Sequence, residues 1–313
     1  MLRVTSAVGD AGTASLAVSK IMRMRMRPYC TAAAALLALH AAPALADRDP
    51  QSGAPLPPKK HENSSPITDH FAASVAYFPS KLNTTLRADP TLGAAGVTGT
   101  TVNAEQDLGL PDSLHKGTVE FMFRLGTRNK VRMAYLEQDR SGDQVLANDI
   151  VFKNSVFLAG LPASSSLDYK QFNITYTYSF IRNERFEVGT GLGVYFLQVD
   201  GSMTQAQPFT IALHEEVSGA SPFPALPFDL TWCFSSRWSA NAHGAFLKAT
   251  ISGTQGWYAD EHADIQYRWN RNLVLGLGYS ETRTSLSNDG SSSFRGYLNI
   301  SIKGPQAFLR FSF

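Results

Sequence analysis

Large apolar side chains occupy every second position along much of the chain after residue 69, and this alternation limits the folds available to it. Residues 171–180 illustrate it, because one face of this segment is polar and the other consists of Phe172, Ile174, Tyr176, Tyr178 and Phe180. The same alternation occurs in 119–125, 186–196 and 273–279. Successive side chains of a strand point to opposite faces, whereas an amphipathic helix has a period of 3.6 residues. The pattern predicts an all-β chain of antiparallel strands.

The contrast between the two faces of these segments indicates a membrane environment. In 186–196 one face is large and apolar, whereas the other begins with Glu187, Gly189, Gly191 and Gly193. A transmembrane barrel has this arrangement, with lipid outside and a polar lumen inside. Charged residues make up 17% of the chain, which is below the roughly 25% typical of soluble domains. A soluble β-sandwich also alternates and remains an alternative.

Short and long connections alternate along the chain, as they do in bacterial outer-membrane barrels. The short turns fall at 127–129, 182–184, 235–236 and 270–272, and the longer segments at 81–116, 141–167, 201–221, 251–257 and 287–292. The sequence therefore predicts a transmembrane up-and-down barrel over 69–313, with ten antiparallel strands and both termini in the periplasm. The strands are expected at 70–80, 117–126, 130–140, 168–181, 186–200, 223–234, 237–250, 258–269, 273–286 and 293–313. Eight strands, with the weakest pair outside the membrane, is the alternative.

The first 46 residues have the organisation of an export signal. Arg23, Arg25 and Arg27 precede an apolar run over 31–42, and Ala44-Leu45-Ala46 provides a cleavage site. The run is shorter than the ~20 residues that a transmembrane helix needs. Residues 1–46 are therefore predicted to be a cleaved signal peptide. The translation start is open between Met1, Met22, Met24 and Met26.

Residues 47–68 are polar and rich in proline, which predicts a disordered periplasmic linker before the barrel. With the signal peptide removed, Cys233 is the single cysteine of the mature chain. The whole chain has 28 basic and 26 acidic residues, giving a formal charge of +2. A near-neutral chain without a basic patch argues against nucleic-acid binding.

The chain ends in an alternating segment that closes with phenylalanine. Ala307, Leu309, Phe311 and Phe313 share one face of it. A terminal Phe in such a strand resembles the signal read by the machinery that inserts barrels into the Gram-negative outer membrane. Phe311 and Phe313 are therefore the predicted insertion signal, and that machinery is a predicted partner.

Two prolines qualify the strand prediction. Pro79 predicts that the first strand ends or bends there, because proline is disfavoured inside a sheet. Gly304-Pro305 predicts a similar disturbance of the last strand.

Several short motifs resemble those of one family. They are 104–110 (AEQDLGL), 135–142 (YLEQDRSG), the glycine-rich segment 189–193, Tyr279 after a glycine-rich strand, and the ending from Gly304-Pro305 to Phe313. With these motifs the whole of 69–313 resembles bacterial outer-membrane β-barrel proteins of unassigned activity, small OmpA/OmpW-like barrels in the broad sense. The resemblance implies a barrel in the Gram-negative outer membrane but no reaction. Lys153 departs from it, since a glycine is expected after 149–152.

Charged and polar side chains that are predicted to point into the lumen form the main candidate site. They are Glu120, Arg124, Arg132, Glu187, Asp229, His243, Gln266, Arg268 and Arg310. Both signs of charge are present, so these groups can pair, and side chains can fill barrels of about eight strands. We predict a plugged, monomeric barrel with a structural or surface-interaction role and no catalysis. A narrow selective pore for small solutes is the first alternative.

The second alternative is a hydrolase at the outer rim of the barrel. Asp260, His262 and Asp264 alternate along one predicted strand and share its lumen face. A histidine between two carboxylates can act as a general base or help to hold a metal. Such alternation is also common in solvated strands, so we predict no catalytic site, no metal and no cofactor. The run 214–216 is interpreted as a solvated charge run, and His115 is expected to have no set of partner residues nearby.

The long loops predict contact with the cell surface and with lipid. Glu105, Asp107 and Asp112 in the first loop have the oxygen ligands that Ca²⁺ prefers, or could bridge lipopolysaccharide through divalent ions, although ordinary solvation explains them more simply. Aromatic residues predicted to form belts at the membrane interfaces are Trp232, Trp238, Tyr267 and Trp269. Outer-membrane lipid and lipopolysaccharide are therefore the predicted partners of the barrel.

Overall fold

The computed structural model of the chain describes residues 65–90, 98–206, 212–251, 254–288 and 295–313. The predicted signal peptide 1–46 and residues 47–64 of the predicted linker lie outside these ranges. The strands of the described part, in chain order, are β1 (Phe71–Ala88), β2 (Val102–Asn103), β3 (Ser113–Leu125), β4 (Asn129–Val145), β5 (Ile150–Phe152), β6 (Ser155–Phe157), β7 (Pro162–Arg182), β8 (Phe186–Gln205), β9 (Leu213–Cys233), β10 (Trp238–Ile251), β11 (Thr254–Arg268), β12 (Leu273–Asn288) and β13 (Gly296–Ser312). None of the described residues belongs to a helix long and apolar enough to cross a membrane.

The ten long strands form a closed antiparallel barrel. Each long strand pairs with the long strand that follows it in the chain, and β13 pairs with β1 to close the cylinder. The short strand β2 pairs with the extracellular end of β1, and β5 and β6 form a separate hairpin. The predicted ten-strand barrel is confirmed, and the alternatives of eight strands and of a soluble sandwich are wrong.

Several strands extend further toward the outside than the sequence predicts. β1 continues through Ala88, β7 begins at Pro162 and β9 begins at Leu213. Parts of the segments predicted as long loops therefore belong to the barrel wall. The outward side chains of these extensions include polar residues such as Asp143 and Asp168. These extensions lie on the extracellular side of the apolar belt. Their outward side chains therefore do not face lipid, and the apolar alternation is lost.

Of the two outcomes predicted at Pro79, an end or a bend of the first strand, the strand does not end there. β1 keeps one register with β13 from Ala72 to Ala88, although among these described residues no pairs form between Tyr77 and Lys81. Pro79 and Pro305 face each other in this gap, and neither has an N–H to donate. Gly304 permits the close approach here, because a Cβ on it would lie 2.3 Å from the carbonyl oxygen of Pro79. The predicted disturbance is thus confined to a short interruption of hydrogen bonding.

A belt of exposed apolar side chains surrounds the barrel. On β8 it runs from Phe186 to Phe196 on alternate residues, all of them apolar except Thr190. Ten residue steps of about 3.3 Å, tilted by about 40°, give a belt about 25 Å tall, the height of the lipid-facing band of outer-membrane barrels. Exposed aromatic side chains border the belt on the periplasmic side, at Trp232, Trp238 and Trp269, and on the other side, at Tyr77 and Tyr135. The predicted tryptophan belt therefore lies at the periplasmic interface.

Side chains fill the barrel in two chemically different halves. The periplasmic half is polar and contains the charged residues that the sequence assigns to the lumen. The extracellular half is an apolar core, which the sequence analysis does not predict. Its buried members are Phe78, Leu82, Leu136, Tyr169, Tyr195, Leu197, Phe223, Ala225, Ala245, Tyr258, Leu298, Ile300 and Ile302.

Candidate functional site

The polar half of the interior contains a fully buried ion pair between Arg124 on β3 and Glu187 on β8. Arg124 Nη1 donates to Glu187 Oε1 at 2.8 Å, and Nη2 donates to Oε2 at 3.0 Å. Ser179 Oγ on β7 donates a third hydrogen bond to Glu187 at 2.6 Å. A planar guanidinium that binds both carboxylate oxygens gives a strong and directional contact. This pair therefore connects β3 with β8, three strands further along the wall, at the periplasmic end of the barrel.

The network continues toward the barrel centre through Lys130 and Arg132 of β4. Lys130 Nζ lies 3.4 Å from Glu187 Oε2 and donates to Asp229 of β9. Arg132 Nη2 donates to Asp229 at 2.5 Å, and Nη1 donates to Glu120 of β3 at 2.7 Å. The acidic and basic groups thus alternate in one continuous chain across the lumen. Lys130 was missed by the sequence analysis, although it shares the parity of Arg132 on the same strand.

Asp69 anchors a second charged cluster at the periplasmic mouth. Arg268 Nη2 donates to Asp69 Oδ2 at 2.7 Å, and Arg310 Nη2 lies 3.6 Å from the same oxygen. Residues 65–68, which the sequence assigns to the linker, form a turn that brings Ile67 to a buried position. No alternating pattern marks this turn, so parity on the strands could not have identified Asp69 as an interior residue.

Asp260, His262 and Asp264 do face the interior, but they lie in the middle of β11 and not at the outer rim. They line a cavity of about 120 Å³ at the boundary between the polar and apolar halves. His262 Nε2 is 2.9 Å from Asp264 Oδ2, and Thr282 Oγ1 donates to Asp260 at 2.9 Å. His243 of β10 lines the same cavity. The predicted rim location is wrong because β11 extends beyond these residues to Thr254.

Two of the acidic residues of the first loop, Glu105 and Asp107, are bound by the chain itself. Glu105 accepts a hydrogen bond from Arg140 and another from the Thr84 backbone N–H at 2.9 Å. Asp107 accepts the Asn103 N–H at 2.7 Å. These contacts use the carboxylates as structural acceptors that hold the loop against the barrel wall.

His115 and His214 lie on the outside of the molecule. His115 Nδ1 is 2.7 Å from the hydroxyl of Tyr77. His214 Nε2 is 2.9 Å from Glu216, and its Nδ1 is 2.7 Å from Thr204 Oγ1. Each contact is between exposed side chains.

The extracellular ends of the strands and the described loops form a folded cap with its own apolar core. Its buried members are Ala88, Val102, Ala104, Leu108, Leu110, Leu146, Ile150, Phe152, Phe157, Ala163, Leu167 and Met203. They come from β1, β2, β5, β6, β7 and β8 and from the segments between them. Arg140 ties the cap to the wall, since it donates to Thr84 Oγ1 at 2.6 Å and to Glu105.

The barrel wall is incompletely paired between β3 and β4. Their ladder runs from Leu125↔Asn129 to Val119↔Tyr135 and, among the described residues, has no pairs beyond this point. Val119 and Tyr135 face outward, yet both also line the interior cavity. Lys116 Nζ lies 3.1 Å from Asp139 Oδ2 above the same seam. The cavity therefore extends to the wall residues at the lower end of this seam.

The closed barrel, its apolar belt and the bordering aromatic side chains together define the class of protein. Closure of the sheet by pairing of β13 with β1 leaves no open sheet edge, which is what a β-structure in lipid requires. An even number of antiparallel strands with an apolar band about 25 Å tall is characteristic of bacterial outer-membrane proteins. The chain is an outer-membrane β-barrel protein of the Gram-negative envelope, and lipid surrounds its belt.

Comparison with known proteins adds no closer assignment. No family model and no curated protein matches the chain. Among solved structures, Ail, the attachment invasion locus protein of Yersinia pestis, has a TM-score of 0.31 at 9% identity, covering 76% of this chain and 99% of that one. The P. putida toluene transporter TodX has a TM-score of 0.32 at 8% identity, covering 80% and 91%. The translocator domain of the autotransporter NalP from Neisseria meningitidis has a TM-score of 0.30 at 8% identity, covering 77% and 88%. Values this low carry no functional conclusion.

Proposed function

We propose that this protein is a non-catalytic surface-interaction protein, in which a plugged barrel anchors the folded cap at the outside of the cell. The observation that carries the proposal is the apolar core of the cap, in which Val102, Phe157 and Met203 are almost completely buried. A connection that only joins two strands needs no core of its own. A core fixes the shape of a surface, and a fixed surface is what recognition of a partner requires.

The filled interior supports an anchoring role for the barrel. The ion-pair chain from Arg124 to Glu120 crosses the polar half, and the apolar core occupies the extracellular half. Water-filled channels are found in barrels of about 16 strands or more, whereas smaller barrels have room mainly for side chains. A ten-strand barrel that is filled in this way favours a rigid support over a general diffusion pore.

Lipopolysaccharide is the partner that we propose for the wall just above the apolar belt. Lys81 of β1 and Lys303 of β13 are direct cross-strand neighbours, and both are exposed on the outward face. Like charges placed opposite each other repel, so an anion between them is stabilising. The pair lies four residues above Tyr77, which borders the belt. Lipid phosphates in the outer leaflet would lie at this height.

Surface labelling tests the orientation and exposure of the cap. Asn148→Cys places a thiol on an exposed cap position, and Glu184→Cys places one on an exposed short turn. Native Cys233 is buried and gives a low background. On intact cells a membrane-impermeant maleimide should label Asn148→Cys and spare Glu184→Cys. Labelling of the turn instead of the cap would contradict the proposal.

Conductance measurements test the plugged interior. The purified wild-type protein, inserted into a planar lipid bilayer, should show no stable channel openings. The matched variant is Arg132→Ala combined with Glu120→Ala, which removes charged side chains that line the cavity. Stable openings of the wild-type protein would refute the anchoring role and would support a transport function.

A narrow route for small solutes is the second candidate function, and the seam between β3 and β4 favours it. The cavity is lined by Val119 and Tyr135 at the seam and by interior residues such as His243. A route through this seam would connect the lipid face with the interior and would not need an open mouth. A disulfide between Thr118→Cys and Leu136→Cys, which flank the seam, should abolish solute uptake by cells if this route exists. Uptake that is equal in the oxidised and reduced variant would exclude it.

A further inference from the structure

We propose that His243, His262 and Asp264 bind a divalent transition-metal ion such as Zn²⁺ inside the barrel. The strand register brings them together, because His243 of β10 lies directly opposite His262 of β11, and Asp264 follows on the same inner face. The two imidazole ring centroids are 4.5 Å apart. One ligand atom of each of the three residues lies within 4.8 Å of the other two. All three residues line the cavity of about 120 Å³, which has room for a water ligand.

The types of donor atom determine the class of ion. Two imidazole nitrogens and one carboxylate oxygen suit Zn²⁺, Co²⁺, Ni²⁺ or Fe²⁺, whereas Mg²⁺ and Ca²⁺ prefer sites made entirely of oxygen. Three protein ligands and one water complete the tetrahedral coordination that Zn²⁺ adopts in many proteins. The three ligand atoms would have to approach one another by about 1 Å, since Zn–N and Zn–O bonds are about 2.0–2.2 Å long.

The distribution of charge in the interior favours a cation at this position. Each of the carboxylates of Glu120, Glu187, Asp229 and Asp69 has a Lys or Arg partner. Among the described residues, neither Asp260 nor Asp264 has a Lys or Arg nitrogen within ion-pair distance. Their hydrogen bonds with Thr282 and Asn241 come from neutral groups. A buried carboxylate without a compensating cation is costly, and a bound metal ion would supply the missing charge.

Neighbouring groups already orient the proposed ligands. Asn241 Nδ2 donates to Asp264 Oδ1 at 3.1 Å, which leaves Oδ2 directed toward His262 Nε2 at 2.9 Å. Glu120 Oε2 lies 3.4 Å from His243 Nε2, so His243 can donate this N–H to the carboxylate and bind metal through Nδ1. Carboxylates commonly hold metal-bound histidines in this way.

Arg132 is the nearest cation, but it does not occupy a ligand position. Its Nη1 is 3.4 Å from Nδ1 and 3.5 Å from Nε2 of His243. An atom almost equidistant from both ring nitrogens at this range lies over the face of the ring and not along a lone pair. The guanidinium is also held by Glu120 and Asp229. The lone pair of His243 Nδ1 therefore remains available to a metal ion.

Titration with Co²⁺ tests the site directly, because its visible absorption depends on the ligands. Full-length protein purified in detergent and treated with EDTA should bind one Co²⁺ per chain, and Zn²⁺ should displace it. His262→Gln should weaken binding by about 100-fold or more. His214→Gln is the matched control, since His214 is exposed and contacts Glu216, and this variant should bind Co²⁺ as the wild type does. No binding by the wild type, or equal binding by His262→Gln, would overturn the proposal.

A second measurement keeps the test valid if the His262 variant does not fold. Folding of each variant is checked by the heat-dependent shift in gel migration that closed barrels show. In the wild-type protein loaded with Co²⁺, proton NMR should show two paramagnetically shifted, exchangeable imidazole N–H signals, one for each histidine ligand. A Co²⁺-loaded protein without such signals would show that the ion binds elsewhere.

Discussion

Replacing Glu187 with glutamine should strongly destabilise the barrel while preserving its shape. The glutamine side chain has the same size but no charge, so Arg124 would lose the carboxylate that binds both of its terminal nitrogens. The side chains of Arg124 and Glu187 are 1% and 0% exposed, so water cannot replace the lost partner. The remaining partners of Arg124 are the backbone carbonyls of Asp69 and Thr127. These oxygens do not neutralise its charge.

The expected size of the effect follows from burial. Removing one partner of a buried ion pair typically costs about 3–5 kcal/mol, because the other charge is left uncompensated. This corresponds to a shift of roughly a hundredfold to a few thousandfold in the unfolding equilibrium. Glu137→Gln is the matched control, since Glu137 pairs with Lys170 at 3.3 Å and both side chains are more than a third exposed. Solvent screens such a pair, and its loss should cost about 0–1 kcal/mol.

A double-variant cycle separates the ion pair from its surroundings. The cycle compares Arg124→Met, Glu187→Met and the double variant. Because the double variant removes both charges, its loss of unfolding free energy should be smaller than the sum of the losses in the two single variants. Urea unfolding of protein folded into lipid vesicles, followed by tryptophan fluorescence, gives the free energies. If Glu187→Gln and Glu137→Gln shift the unfolding midpoint equally, the buried network does not hold the barrel together.

Further predictions concern the lipid face, the strand interruption, the C-terminus and the lysine pair. Leu277→Arg places a charge near the middle of the apolar belt and should destabilise the folded barrel by about 2–4 kcal/mol in the same unfolding assay, whereas Leu277→Ala should not. Gly304→Ala forces β1 and β13 apart at Pro79 and should cost about 1–3 kcal/mol; an unchanged midpoint would contradict the close approach. Phe313→Ala should lower the amount of barrel assembled in cells but not the yield of refolding into vesicles, since the backbone contacts of residue 313 with β1 remain. An equal loss of assembly in cells and of refolding into vesicles would refute a role as insertion signal. Lys81→Gln combined with Lys303→Gln should reduce the lipopolysaccharide that copurifies with the protein, and an unchanged amount would exclude this contact.

The lipid-facing half of the fold was predictable because the bilayer imposes a uniform requirement. Outward residues across the belt are predominantly apolar, so the parity of a segment such as 171–180 identifies both its outer and its inner face. This parity alone predicts that Glu120, Arg124 and Arg132 point into the interior, without any knowledge of their ion-pair partners. Which charges meet depends on the register of strands that are distant in the sequence. The connection from Arg124 to Glu187 was therefore beyond the reach of a local pattern.

The apolar half of the interior was not predictable by the same reasoning. In 194–199 both faces of β8 carry large apolar side chains, with Tyr195 and Leu197 inside and Phe196 outside. A period of two disappears when both faces are apolar, so the pattern could not show that this part of the lumen is filled with aliphatic and aromatic groups. The position of His262 along its strand was also misjudged, because β11 begins at Thr254, before the predicted start of the strand at residue 258.

The burial of Asp69 shows a different limit. The segment before it is rich in proline and poor in large apolar residues, a composition that indicates disorder. Its place in the structure is determined by two basic residues from distant strands, Arg268 and Arg310, which need a carboxylate at the periplasmic mouth. The sequence alone does not show that Arg268 and Arg310 lie close to Asp69, because these residues come together only in the folded barrel.

The most direct test of a closed, membrane-embedded barrel is the gel migration of the protein from isolated outer membranes, with and without boiling. A closed barrel resists detergent until it is heated, so the unboiled sample should migrate at a different position from the boiled sample, and the protein should be recovered in the outer-membrane fraction. A protein found in the soluble periplasmic fraction, with the same migration before and after boiling, would contradict the account.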